Sequence, residues 1–187
     1  MMIVLNIGCG PREPVGALGR GTVWPQATEI GIDLDPETRP DVVADMRALP
    51  FRDECFYGII ASHVLEHISM EGVKPSLEEM RRVLRPQGTL EIRVPDMRWV
   101  AERIIKEGLG PALIPVIYGD ARATGGHLMG FDPLSLVAFI RSAGFQETGV
   151  GTGLMGVGWW EDGEDLDKVE PGFVSNFREI KLRARKK

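Results

Sequence analysis

The sequence predicts an α/β fold in which a mostly parallel sheet is doubly wound, with helices on both faces. Short apolar runs alternate with segments of helical periodicity, as in proteins built from strand–helix–strand units. The first run, residues 2–7, is rich in Ile, Val and Leu, which is typical of a strand buried on both faces. With 187 residues, 43% hydrophobic and 26% charged, the chain has the size and composition of one domain, residues 1–187.

Further strands are predicted at four apolar runs in the first half of the chain and at one near its end. The four runs cover residues 29–33, 41–44, 57–62 and 89–94. Residues 180–184 alternate charged and apolar side chains, which is typical of a half-exposed last strand.

Three helices are predicted from residues typical of helix N-termini. Ser76 opens a capping box before an apolar stripe, which predicts the start of one helix there. Asp96 is the predicted N-cap of residues 97–107. Asp132, followed by a proline, is the predicted N-cap of residues 134–143.

Two stretches are predicted as loops. Prolines at positions 11, 14 and 25 disfavour a long helix, so residues 11–28 are predicted to hold at most a short one. Residues 151–172 are rich first in glycine and then in acids, and they are predicted to form one long loop.

Composition limits the kinds of partner that this chain can take. The 22 Lys and Arg against 27 Asp and Glu leave a net charge of −5, which disfavours nucleic acid. Cys9 and Cys55 are too few for a disulfide framework, no apolar run is long enough to span a bilayer, and the N-terminus lacks the basic region of a signal peptide. We therefore expect a cytoplasmic protein with a small-molecule partner and neither nucleic acid nor a membrane as partner. The composition leaves the oligomeric state open.

Ligand-binding residue types follow three successive predicted strands. After the first strand, Gly8 and Gly10 allow a sharp turn and a close approach of ligand to backbone. Asp33, at the end of the second strand, can accept hydrogen bonds from both hydroxyls of a ribose. Asp45 and Met46, after the third, combine an acceptor for an exocyclic amine with an apolar cover for an aromatic ring. Together these features suit an adenine nucleoside.

A nicotinamide oxidoreductase is a weaker interpretation of the same glycine turn. A pyrophosphate-binding turn has a third glycine three residues after the second, where a helix N-terminus meets the phosphates. This chain has Glu13 at that position, which would put a carboxylate beside phosphate.

The sequence resembles the class I S-adenosylmethionine-dependent methyltransferases, and within them the small branch related to the ubiquinone and menaquinone biosynthesis methyltransferases. The segments that carry the resemblance stand in the family's order: LNIGCG (5–10), GIDLDP (31–36), DVVADMRALPF (41–51), IIASHVLEHI (59–68) and EEMRRVLRPQGTLEIRVPD (78–96). The resemblance implies a Rossmann-like sheet of seven strands, here with a shortened first helix, and an antiparallel last strand. It also implies a transferase with S-adenosyl-L-methionine as its cofactor.

Residue roles follow from the resemblance position by position. It implies that the glycine turn lies under the methionine part of the cofactor, that Asp33 binds the ribose, and that Asp45 and Met46 hold the adenine. The implied cofactor-binding residues are Asn6, Gly8, Cys9, Gly10, Asp33, Leu34, Asp45, Met46 and Ser62. The family usually has an acid at position 6. An asparagine there can hydrogen-bond but cannot neutralise the ligand's ammonium group.

The pattern H-x-x-E-H at residues 63–67 has a rival interpretation as a metal site. On a helix, this spacing places two histidines on one face and binds zinc in metallopeptidases. Here the segment continues directly from a predicted strand within the methyltransferase order of motifs, so no metal is predicted. His67 is predicted to be structural.

His63 and His127 are the predicted catalytic residues. The resemblance implies that Ser62 and His63 line the methyl-donor end and that the loop with His127 reaches over the active site. Methyl transfer gains much of its rate from alignment, so a histidine base is optional and the acceptor atom stays open. Two hypotheses remain: a methyltransferase acting on a small molecule, and a non-catalytic cofactor-binding or interaction module with a degenerate site. The asparagine at position 6 and the shortened first helix favour the second.

Overall fold

The computed structural model describes residues 1–10, 24, 26–119, 125–154 and 177–187. Its strands are β1 (Ile3–Ile7), β2 (Thr28–Asp33), β3 (Val42–Val43), β4 (Phe56–Ser62), β5 (Leu84–Pro95), β6 (Phe145–Leu154) and β7 (Arg178–Lys186). The α-helices of the described residues are α1 (Met70–Val83), α2 (Met97–Glu107), α3 (Ile114–Tyr118) and α4 (Pro133–Ser142), and single 3-10 turns lie at Pro36–Thr38 and Leu65–His67.

Six strands run parallel and the last strand is antiparallel. The order across the sheet is β3-β2-β1-β4-β5-β7-β6. Strand β1 pairs in parallel with β2 and β4, whereas β7 lies antiparallel between β5 and β6. These pairings confirm the predicted α/β fold with a mostly parallel, seven-stranded sheet and an antiparallel last strand. The strand order reverses between β1 and β4, where sheets of this kind bind ligands beyond the carboxyl ends of their strands.

One face of the sheet is apolar and holds most of the core. Alternate residues of a strand point to the same face, and Leu5 of β1, Ile92 of β5 and Leu182 of β7 are fully buried in one cluster. Leu77 of α1 and Ile140 of α4 belong to the same cluster. Helices α1 and α4 therefore cover this face. Their packing holds in place the strands whose carboxyl ends form the candidate site.

The opposite face carries charged side chains on β5 and β7. Arg93 pairs in register with Lys181, and Glu91 pairs with Arg183. Glu91, Glu179 and Lys181 are all buried. The prediction of a half-exposed last strand is therefore wrong: its charges face partners on β5 instead of solvent.

Strand β6 replaces the beginning of the predicted loop at residues 151–172. Residues 151–154 belong to the strand, and Gly151 and Gly153 pair with Lys181 and Glu179 of β7. Glycine has little intrinsic preference for strands, so here pairing with β7 decides the conformation. Residues 155–172 of that loop, and residues 11–23 with Glu13 and the shortened first helix, lie outside the described residues.

Helix α1 begins earlier than the sequence predicts. Its N-cap is Ser69, and Ser76 is buried in its interior, where the Ser76 hydroxyl donates a 2.9 Å hydrogen bond to the Gly72 carbonyl. The capping-box prediction is wrong because this hydroxyl satisfies a carbonyl of its own helix, as serine does inside helices.

The other two predicted N-caps are confirmed. The Asp96 carboxylate accepts hydrogen bonds from the backbone N–H groups of Arg98 and Trp99 at the start of α2. Asp132 and Ser135 form a reciprocal capping box at the start of α4. Across the described part of the chain, every helix is too short or too polar to pass through a bilayer.

Candidate cofactor and catalytic site

The turn after β1 is bound to the end of β2. The Cys9 N–H donates to the Ile32 carbonyl at 3.0 Å, and the Gly10 N–H donates to Asp33 Oδ2 at 2.8 Å. Gly8 has a φ of +65°, and a Cβ built on it would lie 2.7 Å from Cγ2 of Val64. Glycine at position 8 is thus required by the backbone and by the segment that follows β4.

Asp33 is held in place by backbone N–H groups on both of its oxygens. Oδ2 accepts from Gly10, and Oδ1 accepts from the Asp35 N–H at 3.0 Å. Each carboxylate oxygen keeps a further lone pair, and the side chain is only partly buried. The carboxylate can therefore accept two hydroxyls of a ribose without moving. Next to it, Leu34 is 67% exposed and offers a free apolar surface.

Asp45 and Met46 are less accessible to a ligand than Asp33. The Arg47 guanidinium donates to both oxygens of Asp45, with the shortest contact of 2.5 Å at Oδ2. Hydrogen bonds from this side chain hold the pKa of Asp45 below its ordinary value. Met46 is 6% exposed and packs in the core. An adenine amine would reach Asp45 only after Arg47 swings aside, and Leu34 is the better apolar cover.

Asn6 lies beside a carboxylate from the neighbouring strand. Its Nδ2 donates a 2.9 Å hydrogen bond to Glu29 Oε1 of β2. The negative charge that the resembled family carries at position 6 is thus present on the adjacent strand. Sequence reasoning missed Glu29, because strand register is what brings the two residues together.

Ser62 ends β4, and His63 follows it with a φ of +53°. The His63 ring is in contact with two buried carboxylates: Nε2 lies 2.8 Å from Glu179 Oε2, and Nδ1 lies 3.3 Å from Glu66 Oε1. Burial by itself lowers the pKa of His63, but hydrogen bonds and charge from Glu179 and Glu66 outweigh it and raise the pKa to about 9. His63 is therefore an imidazolium at neutral pH, and in this state it is a hydrogen-bond donor and a cation instead of a base.

The buried ion cluster of β5 and β7 continues from His63. Lys181 Nζ lies 3.4 Å from Glu179 Oε1, and Arg93 lies 2.8 Å from Glu91 Oε1. Burial lowers the pKa of Lys181 and raises the pKa of Glu91. Sequence reasoning missed this cluster; the charged alternation of residues 180–184 was the available signal.

His67 and His127 lie together. Nδ1 of His67 donates to the Gly126 carbonyl at 2.8 Å, Nδ1 of His127 donates to the Val116 carbonyl at 3.0 Å, and the ring centroids are 4.8 Å apart. The segment with His127 is fixed by hydrogen bonds from the Leu128 and Met129 N–H groups to the Glu66 carbonyl. His127 is thus brought to the Leu65–His67 turn.

The helical zinc interpretation of H-x-x-E-H is wrong. His63 has a left-handed backbone conformation, Leu65–His67 is a single 3-10 turn, and α1 starts only at Met70. The two histidines of the motif therefore do not share a helix face, and each has different partners.

Comparison with known proteins agrees with this geometry. Residues 5–92 match the family described as a methyltransferase domain. Over 110 residues, covering 54% of this chain and 25% of the relative, the sequence is 31% identical to a tRNA (carboxymethyluridine(34)-5-O)-methyltransferase of Arabidopsis thaliana. The chain spans less than one third of the length of the curated relatives that it matches.

Solved structures share the fold over nearly the whole chain. A S-adenosylmethionine-dependent methyltransferase of Methanosarcina mazei has a TM-score of 0.66 at 16% identity, covering 98% of this chain and 92% of that one. A 1,6-didemethyltoxoflavin-N1-methyltransferase of Burkholderia thailandensis, solved with 1,6-didemethyltoxoflavin and S-adenosylhomocysteine, has a TM-score of 0.58 at 16% identity and coverages of 98% and 70%. Over residues 5–92 this chain therefore matches a methyltransferase-domain family, and over nearly its whole length it shares the fold of solved S-adenosylmethionine-dependent methyltransferases.

Proposed function

We propose that this protein transfers a methyl group from S-adenosylmethionine to a small-molecule acceptor. The observation that carries the proposal is the fixed Asp33 carboxylate, which the Gly10 and Asp35 N–H groups hold at the carboxyl end of β2, the strand next to the β1–β4 reversal of strand order. When bound, S-adenosylmethionine supplies an electrophilic methyl group on a sulfonium.

Five residues suit the two ends of this cofactor. Asp33 accepts from the ribose hydroxyls, and exposed Leu34 covers the adenine. At the other end, Asn6 and the Glu29 carboxylate beside it complement a positively charged amino group. Asp45 accepts from the adenine amine once its Arg47 contacts are released, and this makes cofactor affinity sensitive to Arg47.

His63 acts in this proposal as a residue that lines the acceptor side of the site. Its two ring N–H groups are directed at Glu66 and Glu179, so its partly exposed ring offers a contact surface and neither a base nor a free hydrogen-bond donor. Alignment of reactants alone contributes up to about 7 to 11 kcal/mol to such a displacement, so no strong base is required. The acceptors favoured by this arrangement are those whose reacting atom needs no deprotonation or loses its proton easily. His127 touches His67 instead of His63, so its part in methyl transfer stays a prediction.

Two features support a small molecule over a nucleic acid as the acceptor. The net charge of −5 opposes a phosphate backbone. The structural neighbour from Burkholderia thailandensis was solved with bound 1,6-didemethyltoxoflavin and S-adenosylhomocysteine. The relative from Arabidopsis thaliana is the observation that favours tRNA, the second candidate acceptor.

Calorimetric titration with S-adenosylhomocysteine tests the cofactor part of the proposal. The expected result is 1:1 binding by the unmodified protein, no measurable binding by Asp33→Ala, and unchanged binding by Glu37→Ala, an exposed acid of the following turn. NAD serves as the control ligand. Equal binding by the two variants, or binding of NAD alone, would overturn the proposal.

Turnover is tested separately with methyl-labelled S-adenosylmethionine. The protein is incubated with a small-metabolite extract and, in parallel, with total tRNA. Label in the metabolite fraction supports the small-molecule acceptor, and label in tRNA replaces it with the second candidate. Cofactor binding without label in either fraction favours the non-catalytic module.

A further inference from the structure

The geometry points to a metal site: we propose that Glu66, His67 and His127 bind one divalent transition-metal ion. Each of the three residues offers a side-chain ligand atom, and these atoms lie within 4.8 Å of one another. Glu66 and His67 come from the turn before α1, and His127 comes from the segment between α3 and α4. The ion would bridge two parts of the chain that are sixty residues apart in sequence.

Hydrogen bonds fix His67 and His127 in the tautomer that leaves Nε2 available to bind a metal. A backbone carbonyl can only accept a hydrogen bond, so Nδ1 of His67 and Nδ1 of His127 both carry the proton. In the neutral ring, Nε2 then has a free lone pair. Histidine ligands of metals are commonly oriented in this way, by a second ring nitrogen that donates to a carbonyl.

Glu66 is the second, independent observation. Its side chain is 1% exposed, and its Oε2 has no hydrogen-bond partner within the described part of the chain. His63 Nδ1 lies 3.3 Å from Oε1, which leaves Oε2 without a neighbouring donor. A buried carboxylate oxygen without a partner is costly. The proposed ion would supply the partner that Oε2 lacks.

The donor set selects the class of metal. Two imidazole nitrogens and one carboxylate form the three-ligand set that zinc has in open catalytic sites, and magnesium and calcium prefer oxygen ligands alone. Tetrahedral zinc holds its ligand atoms roughly 3.3 Å apart, given bond lengths of about 2.0 Å. The three residues therefore draw together when the ion binds, and the segment with His127 becomes more tightly fixed.

This site differs from the zinc motif of the sequence. His63, the first histidine of H-x-x-E-H, faces Glu66 and Glu179 and is not a ligand. The ligands are the last two residues of the motif and one histidine from elsewhere. Zinc binding can be measured without S-adenosylmethionine or an acceptor, so it is testable whether or not the proposed function holds.

The test is zinc titration of the full chain after removal of metal with a chelator. Competition against a colorimetric indicator is expected to give one ion per chain. His127→Ala and Glu66→Gln are expected to weaken binding by about 100-fold or more, because even changes outside the ligand shell commonly cost 10- to 100-fold. Cobalt gives a second readout, since visible absorption of tetrahedral Co²⁺ is expected in the unmodified protein and is lost in both variants.

Two control variants exclude adventitious binding. Cys55→Ser removes the half-buried thiol, and Glu71→Gln removes an exposed acid at the start of α1; both are expected to bind zinc like the unmodified protein. A rise of the melting temperature with zinc is expected in the controls and is absent in His127→Ala. Failure of the unmodified protein to bind one ion, or binding by His127→Ala at unchanged affinity, would overturn the proposal.

Discussion

At the scale of single residues, the site depends on contacts between residues far apart in sequence. Asn6 donates to Glu29, and His63 joins Glu66 to Glu179, which lies 116 residues beyond His63. In each case the contact changes the charge that the residue presents to the site. The pair with Glu29 keeps a carboxylate next to position 6, and the pair with Glu179 changes the charge state of His63.

Replacing Asn6 by the family's usual acid is expected to destabilise this protein. Asn6→Asp would bring a second carboxylate into contact with Glu29, where Nδ2 now donates at 2.9 Å. We expect the free energy of unfolding at pH 7 to fall by about 1 to 3 kcal/mol, because a hydrogen bond becomes a like-charge contact. Urea denaturation measures the change. Asn6→Asp with Glu29→Gln restores a donor and is expected to recover most of the loss; a double variant as unstable as the single one would contradict this account.

The charge of His63 is expected to depend on Glu179. NMR titration of the imidazole in metal-free protein should give a pKa of about 9, and Glu179→Gln should lower it, whereas Glu71→Gln should not. Because the folded pKa lies above the ordinary value of 6.5, protonated His63 stabilises the fold fully below pH 6.5, and this contribution is lost as the pH rises from 6.5 to 9. A His63 pKa that stays the same in Glu179→Gln would show that the carboxylate does not set it.

At the scale of elements, helix ends divide into those fixed by side-chain caps and those fixed by packing. Asp96 and Asp132 make capping hydrogen bonds, and both helices start where the sequence predicts. Ser69 makes no capping hydrogen bond, and α1 starts there nonetheless. Buried Val73 and Leu77 on the apolar face of α1 account for the early start, since packing outweighs local signals in most helices.

An N-cap that makes a side-chain hydrogen bond is expected to contribute more to the free energy of unfolding than one that makes none. Asp132→Ala is expected to lower the free energy of unfolding by about 1 kcal/mol, because the Ser135 N–H loses its acceptor. Ser69→Ala is expected to change it by less than about 0.5 kcal/mol. Urea denaturation of both variants under the same conditions makes the comparison, and equal costs would refute the distinction.

At the scale of the whole molecule, the sheet has one apolar face and one that carries buried charges. Helices α1 and α4 cover the first, while Glu91, Arg93, Lys181 and Glu179 neutralise one another on the second. The ion cluster reaches the site through Glu179, which holds His63. A change in the buried ion cluster of β5 and β7 is therefore expected to alter both the stability of the sheet and the charge of His63.

Removing only the cation of the Arg93–Glu91 ion pair is expected to lower the free energy of unfolding. Removing both charged residues is expected to lower it much less. Arg93→Met leaves Glu91 buried without its closest cation, and we expect the free energy of unfolding to fall by about 3 to 5 kcal/mol. Arg93→Met with Glu91→Leu removes both charges and is expected to recover most of that loss. Chemical denaturation at pH 7 compares the two, and a double variant less stable than the single one would contradict the expectation.

Much of the fold and of the candidate cofactor site was predictable from the sequence because the signals are local. Apolar runs locate five strands, caps locate α2 and α4, and the glycine turn and Asp33 follow β1 and β2 directly. Strand β6 has no such signal, since its conformation depends on the pairing of residues 145–154 with β7. The burial of Lys181 and Glu179 likewise depends on partners on β5.

The sequence by itself determined the α/β class, the order of the motifs and the residues that line the carboxyl ends of β1 and β2, because each rests on periodicity or on neighbours within a few positions. Only the tertiary structure decided the charge of His63, the placement of Glu29 beside Asn6, and the meeting of Glu66 and His67 with His127. These properties depend on strand register and on packing between distant segments, and pKa values respond to whatever charge that packing brings close.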